Sequence, residues 1–186
     1  LLALTKSTKT SIELLERNNY HQRLKSVGID LFSDNLDELI KTNLDHNSKI
    51  YAVIHNARRL SSLKVSSNGI TSTEDFIDEF KLGVIIPYRI NLLLINMGLE
   101  RVIFINSQYG VVPPNPNLYE DQLLSSPIQY GVTKAAQLQL SKELAIRFSK
   151  QKILVNSIVL GGIAGRVDDQ FKKKYSGFLP LERMLN

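Results

Sequence analysis

A parallel α/β fold is predicted for this 186-residue chain, and two features of its pattern predict it. Short apolar runs alternate with longer amphipathic stretches, and those runs are β-branched or leucine-rich with no polar alternation. Strands buried on both faces of a parallel sheet are written this way, with helices as the connections. At 43% apolar composition the chain is long enough for one compact domain with a core and hardly long enough for two. Residues 1–186 are therefore read as a single domain.

Strands are expected over residues 1–4, 27–31, 50–54, 102–105 and 153–159, and helices over 12–17, 35–44, Thr73–Met97 and 130–148. Ser72 and Thr73 precede Glu74 and Asp75, which suits an N-cap for the third helix. Gly83 weakens that helix, and Pro87 removes a donor and crowds the preceding turn, so a kink or break is expected near Pro87. Residues 111–126 hold Pro113, Pro114 and Pro116 and read as a long loop, either a substrate-side wall or lid or a plain connection.

The formal charge of +5 comes from 23 basic and 18 acidic residues spread along the chain, so nucleic acid is not implied. The run Lys172, Lys173 and Lys174 beside Tyr175 reads as solvated surface and is given no role. Cysteine is absent, and His21, His46 and His55 show no ligand spacing, so no metal is expected. No uninterrupted apolar run reaches the ~18 to 20 residues that cross a bilayer, and no signal-like segment opens the chain. A soluble, cytoplasmic protein without membrane partners is the expectation.

Tyr130 and Lys134 stand four residues apart at the start of a predicted helix, on one face. A nearby ammonium favours a phenolate, and such a pair can move a proton to or from a substrate oxygen. The same spacing also arises by chance on any helix. Ser107 follows the strand over 102–105, at the edge where parallel sheets take their ligands, and its hydroxyl can hold a carbonyl oxygen or simply close a turn. Asn56 and Ala57 follow the strand before it, where Asn56 can brace a cofactor or the neighbouring strand. Gly161 and Gly162 follow the strand after it, where bare backbone can approach a ligand.

In this order, His55-Asn56-Ala57-Arg58, Ser107, Tyr130 to Lys134 and Leu154-Val-Asn-Ser-Ile-Val-Leu-Gly161 resemble the short-chain dehydrogenase/reductase family over nearly the whole chain. Tyr109-Gly-Val-Val-Pro-Pro, Leu118-Tyr-Glu, Ser126-Pro and Gly161-Gly-Ile163 look like the members encoded in bacterial flagellin-modification and sialic-acid-like sugar clusters. The resemblance implies a Rossmann-like, doubly wound, three-layer α/β/α sheet. It also implies an oxidoreductase that interconverts a hydroxyl and a carbonyl by hydride transfer with NADP or NAD, on a small substrate such as a sugar or sugar derivative.

In that scheme Tyr130 is the general acid/base, Ser107 positions the reacting oxygen, and Lys134 tunes Tyr130 and holds the nicotinamide ribose. Asn56, Ala57, Ile105, Gly161 and Ile163 would also line the cofactor, and Asp30 and Leu31 would flank the adenine. Thr5 and Lys6 stand where NAD enzymes carry an acid, so NADP is favoured, with a solvated lysine as the alternative. A homodimer or homotetramer is implied, its contacts on the helix carrying Leu138, Leu140, Leu144 and Phe148, which can equally be core.

The family's active-site asparagine aligns here with Gly83, and His55, Arg58 and Leu160 replace its usual asparagine, glycine and proline. The glycine-rich phosphate turn is missing because Leu1 aligns with the second strand, and Asn186 precedes the usual last strand. The sequence is thus expected to be an interior portion. Two other readings fit some of the same residues: an extended nucleotide-sugar epimerase or dehydratase, and a non-catalytic protein that keeps the fold.

Overall fold

A computed structural model describes residues 2–5, 25–44 and 49–185, with two compact units, Leu1–Lys49 and Ile50–Asn186. The helix expected over 12–17, and Lys6, lie outside the described residues.

In the first unit β1 (Leu2–Thr5) pairs in parallel with β2 (Lys25–Gly28), and α1 (Leu36–Asn43) follows. Leu36 and Ile40, one turn apart on α1, are buried along with Ile29. The second strand was expected over 27–31 and ends at Gly28. Asp30 is the reason: its side chain accepts the Phe32 N–H at 3.0 Å and its carbonyl accepts the Ser33 N–H, so Asp30 and Leu31 lie in a turn.

In the second unit β3 (Ala52–His55), β4 (Arg101–Ser107) and β5 (Leu154–Leu160) form a parallel sheet in that order. The register aligns His55 with Phe104 and Ser107 with Leu160, so the carboxyl ends of β4 and β5 share one edge. The central strand comes nearest to the expectation of burial on both faces. On β4, Val102 and Phe104 fully bury one face while Ile103 and Ile105 on the other are partly buried, and Ile54 on β3 and Leu154, Ile158 and Val159 on β5 are about half exposed.

Helices α2 (Thr73–Phe80) and α3 (Ile86–Leu94) run into each other through a π-turn, Lys81–Ile85. Ser72 caps α2 by accepting the Asp75 N–H at 3.0 Å, as its sequence suggests. The helix does not break at Pro87. The wider turn, closed by the Ile86 N–H on the Lys81 carbonyl, absorbs the residue that has no N–H of its own. A left-handed Gly98 (φ 81°) follows the last helical turn.

This stretch, Thr73–Met97, is 25 residues long and contains an 18-residue window of mean hydropathy 1.3, enough by length and composition to cross a membrane. Counting uninterrupted apolar residues missed it, because isolated polar positions break each run without making the helix polar. Leu82, Ile86, Ile90 and Leu94 recur along it at helical spacing and are buried in the unit.

The loop over 111–126 is not wholly irregular. It holds a 3₁₀ turn, Pro116–Leu118, and the short α4 (Gln122–Ser125), which Asp121 caps by accepting the Leu123 and Leu124 N–H groups. Helix α5 (Ile128–Arg147) carries the Tyr130 and Lys134 pair, and α6 (Asp169–Gly177), capped by Asp168, contains the basic run that was read as surface. Of the α5 residues offered as subunit surface, Leu144 is core, as is Phe148 at the helix end, and the exposed apolar side chains of α5 are Ile128, Val132 and Ile146.

His55 ties the sheet to α3. It stacks on Phe104 with centroids 4.9 Å apart, and its Nε2–H donates to Asn91 Oδ1 at 2.9 Å. Burial holds its pKa down to about 4, against the smaller opposing effect of the Asn91 bond, so the ring is neutral at pH 7. The unfolded chain takes up this proton near pH 6.5 and the folded one only near 4, so stability present above pH 6.5 is lost as pH falls through that window. The loss approaches about 3 kcal/mol. Urea unfolding at pH 7 and pH 4.5 is expected to show it, and a His55→Asn variant should lose most of the difference.

Candidate active site

β4 ends in a tight turn that delivers Ser107. The Ser107 N–H donates to Asn106 Oδ1 at 2.8 Å, Ser107 Oγ accepts the Tyr109 N–H at 3.3 Å, and Asn106 Nδ2 reaches the Lys134 carbonyl at 3.2 Å. The strand end is thereby tied to α5 at the lysine itself. Gly110 permits the approach: a Cβ there would sit 2.7 Å from the Lys134 carbonyl carbon and 3.0 Å from the Ala135 nitrogen, both backbone atoms that cannot swing away.

Tyr130 lies two residues inside the start of α5, with Lys134 one turn on. The Lys134 ammonium stands 6.0 Å from the Tyr130 ring centroid and donates to the Ile105 carbonyl at 2.8 Å and to Gln137 Oε1 at 2.9 Å. Burial lowers its pKa to about 8, where the Glu79 charge supports the ammonium and the Arg58 charge opposes it. Glu79 is itself buried, its Oε2 without a hydrogen-bond partner among the described residues, and burial pushes its carboxyl up against the pull of Arg58 and Lys134. The Arg58 guanidinium lies over the Tyr130 ring, 4.8 Å from its centroid.

Ser107 and Tyr130 open into one cleft of about 1030 Å³, together with Arg58, Gly161, Gly162 and Ile163. The 111–126 segment forms one wall through Leu118, Tyr119 and Glu120, and α6 contributes Phe171, Lys174 and Tyr175. Of the two readings of that segment, a wall fits. It is pinned by Tyr109 Oη against Tyr119 Oη at 2.9 Å and by Leu118 packed with Tyr175 and Met184. Burial and the Tyr119 hydroxyl both push the Tyr109 phenol up.

The glycine pair is close to a protein group. Tyr175 Oη accepts the Gly162 N–H at 2.7 Å and donates to Gln108 Oε1 at 2.8 Å, and a Cβ at Gly162 would sit 2.8 Å from the Tyr175 ring. Asn56 and Ala57 are exposed beyond β3. The expected brace is made by His55 instead of Asn56, which leaves Asn56 open at the sheet edge. Ile105 takes part through its carbonyl. Thr5, Asp30 and Leu31 belong to the first unit, so they stand apart from this description of the second.

Four residues of the site escaped the sequence reading. Gln137 carried a signal, since it lies three residues after Lys134 on the same helix face. Gly110 ends the segment that starts at Ser107. Glu79 gave none, and Arg58 was marked only as standing in place of the family's glycine, because their neighbours come from other elements.

Gly83 stands where the resemblance places an asparagine, and the reason is local. A Cβ at Gly83 would lie 2.3 Å from Thr133 Cγ2, and Thr133 is fully buried. The methyl group of α5 fills the space a side chain would need.

Solved structures show the same architecture. The Pseudomonas aeruginosa RhlG/NADP active-site complex superposes with a TM-score of 0.81 at 20% identity, covering 100% of this chain and 73% of that one. A short-chain dehydrogenase from Streptomyces avermitilis superposes with a TM-score of 0.70 at 19% identity, covering 95% and 66%. The fold is that of the short-chain dehydrogenase/reductases. ElxO with NADP bound, at TM-score 0.77 and 16% identity, covers 99% of this chain and 75% of its own.

In sequence, a 7α-hydroxysteroid dehydrogenase of Paraclostridium sordellii is 28% identical over 172 residues, covering 88% of this chain. The chain spans 61% of the length of that curated relative. No family model matches. In fold and in sequence the chain is thus similar to short-chain dehydrogenase/reductases. The flagellin and sialic-acid-like sugar subgroup has no counterpart among these relatives.

The Gly83 contact gives a direct test of this packing. Gly83→Ala should destabilise by about 1–3 kcal/mol through overpacking, and Thr133→Ala should recover much of that loss. Thr133 Oγ1 has no partner among the described residues, so its removal leaves no bond broken. A urea-midpoint double-mutant cycle reads the coupling.

Proposed function

We propose that this chain is the reacting part of an NAD(P)-dependent short-chain dehydrogenase/reductase that interconverts a hydroxyl and a carbonyl. The observation that carries this reading is the cleft shared by Ser107 and Tyr130, with the Lys134 ammonium 6.0 Å from the Tyr130 ring centroid. The nicotinamide, when bound, supplies or accepts the hydride. In reduction Tyr130 Oη gives its proton to the carbonyl oxygen, and in oxidation it takes the hydroxyl proton. Ser107 Oγ holds that oxygen by a hydrogen bond.

The residues fit a dinucleotide. An ammonium has three donors, and Lys134 spends two on Ile105 and Gln137, which leaves one for a ribose hydroxyl. Asn56, Ala57, Gly161 and Ile163 would line the rest of the bound group; by sequence resemblance alone, Asp30 and Leu31 are assigned to the adenine and Thr5 and Lys6 to a 2′-phosphate. NADP is favoured by that basic residue and by the two NADP-bound structures of the same fold.

A hydroxylated sugar or sugar derivative is the proposed substrate class, supported by the polar lining that Glu120, Asp168, Gln170 and Lys174 give the cleft. The curated relative suggests a steroid alcohol instead, and the aromatic wall of Tyr119, Phe171 and Tyr175 suits one. Self-association through the exposed Ile128, Val132 and Ile146 of α5 belongs to the same proposal.

Nicotinamide fluorescence on the protein carrying this chain tests the reading. NADPH is expected to bind more tightly than NADH, and Lys134→Ala should abolish or severely weaken both. Tyr130→Phe should keep the nucleotide and lose roughly 10²- to 10⁴-fold in turnover with whichever of a hydroxylated-sugar panel and a 7α-hydroxysteroid reacts. Binding of neither nucleotide would remove the assignment.

A further inference from the structure

We infer that Gln137 is a positioning residue for Lys134, its amide linking the ammonium to a helix carbonyl that Pro87 leaves without its usual donor. The inference rests on the oxidoreductase reading of Lys134. Gln137 is buried, its Oε1 accepts from Lys134 Nζ at 2.9 Å, and its Nε2 donates to the Gly83 carbonyl at 2.8 Å. The amide has one workable orientation, because an ammonium only donates and a carbonyl only accepts. A flipped amide would lose both bonds.

The anchor is available for a reason written in the sequence. In a regular helix the Gly83 carbonyl would accept the N–H of residue 87, and proline has none. The π-turn leaves that carbonyl facing α5, where Gly83 has no side chain to keep Gln137 away. Pro87, Gly83 and Gln137 thus come from two helices and act on one ammonium.

Without the amide, the half-buried Lys134 keeps the Ile105 carbonyl as its acceptor and is acted on by Glu79 of α2, which attracts it, and Arg58, which repels it. Tyr130 faces it from its own helix. With the amide, the ammonium is fixed from two sides, and its remaining donor is directed by the other two.

The test is an NMR titration of the Lys134 Cε resonance, assigned with Lys134→Arg, alongside NADPH binding by fluorescence. Gln137→Leu removes the acceptor and should move the Lys134 titration below its native position. Gln137→Glu keeps an acceptor and adds a charge, so it should move the titration above that position. Gln137→Leu should also weaken NADPH by about tenfold.

Pro87→Ala supplies an N–H that competes for the Gly83 carbonyl, so it should shift Lys134 in the direction of the leucine variant by a smaller amount. It reports even if Gln137→Leu fails to fold. A purely structural Gln137 would give no opposed pair of shifts, and unchanged Lys134 titration in the glutamate and Pro87→Ala variants overturns the inference. If the unaltered protein binds neither nucleotide while Lys134 still responds in opposite directions, the oxidoreductase reading fails and the coupling of Gln137 to Lys134 stands.

Discussion

Lys134 carries a charge into a half-buried place at the carboxyl edge of the sheet, and the surrounding structure is arranged around keeping it there. A desolvated ammonium is costly unless oxygen acceptors replace the lost water. The Ile105 carbonyl supplies one and Gln137 Oε1 a second, while Glu79 offers opposite charge. Two of the three ammonium donors are thereby used, which leaves one for a ligand.

Close backbone contacts set the precision of that arrangement. Gly110 lets the turn after Ser107 rest on the α5 backbone at Lys134, so serine and lysine are referenced to the same few atoms. Gly83 lets α5 approach the π-turn, with Thr133 filling the space and Gln137 bonding across it. A side chain at either glycine would push α5 away from the strand or from the turn. Sub-ångström placement of catalytic groups is commonly lost when such supporting contacts loosen. Here the contacts are backbone against backbone or backbone against a methyl group, which leaves little room to relax.

The order of strands and helices was legible in the sequence because apolar runs with no polar alternation have few other uses. The pairing of Ser107 with Tyr130 came from the family resemblance, since a serine at a strand end and a tyrosine–lysine spacing are each ambiguous by local pattern, and the structure opens both into one cleft. The end of β2 was not legible. Asp30 turns the chain through its own side chain, a local bond that competes with an apolar run reading as strand. The course of the helix at Pro87 was half legible: proline announces a lost bond, while whether the helix breaks or widens depends on what packs against it. Arg58 and Glu79 could not be placed, because their roles depend on three-dimensional neighbours from β4, α2 and α5.

The charges around Tyr130 bear on what the cleft can hold. Arg58 lies on one face of the ring and Lys134 one helical turn away, and Glu79, the acid that acts on both, is buried, which pushes its carboxyl up. The cleft lining itself carries Glu120 and Asp168 as well as Arg58 and Lys174, so the positive potential is local to the Arg58 and Lys134 pair beside Tyr130. Water screens such potential poorly in a partly enclosed cleft. An anionic or oxygen-rich ligand entering there relieves the repulsion between Arg58 and Lys134, which otherwise lowers the lysine's affinity for its proton. Ligand binding and lysine protonation are therefore linked: a ligand that gathers negative charge beside Lys134 strengthens the ammonium that the proposed chemistry needs. A neutral, apolar ligand in the same cleft would gain shape contacts from Tyr119 and Phe171 without giving that help. By this argument the charged end of the ligand, rather than its apolar surface, prepares the site for reaction.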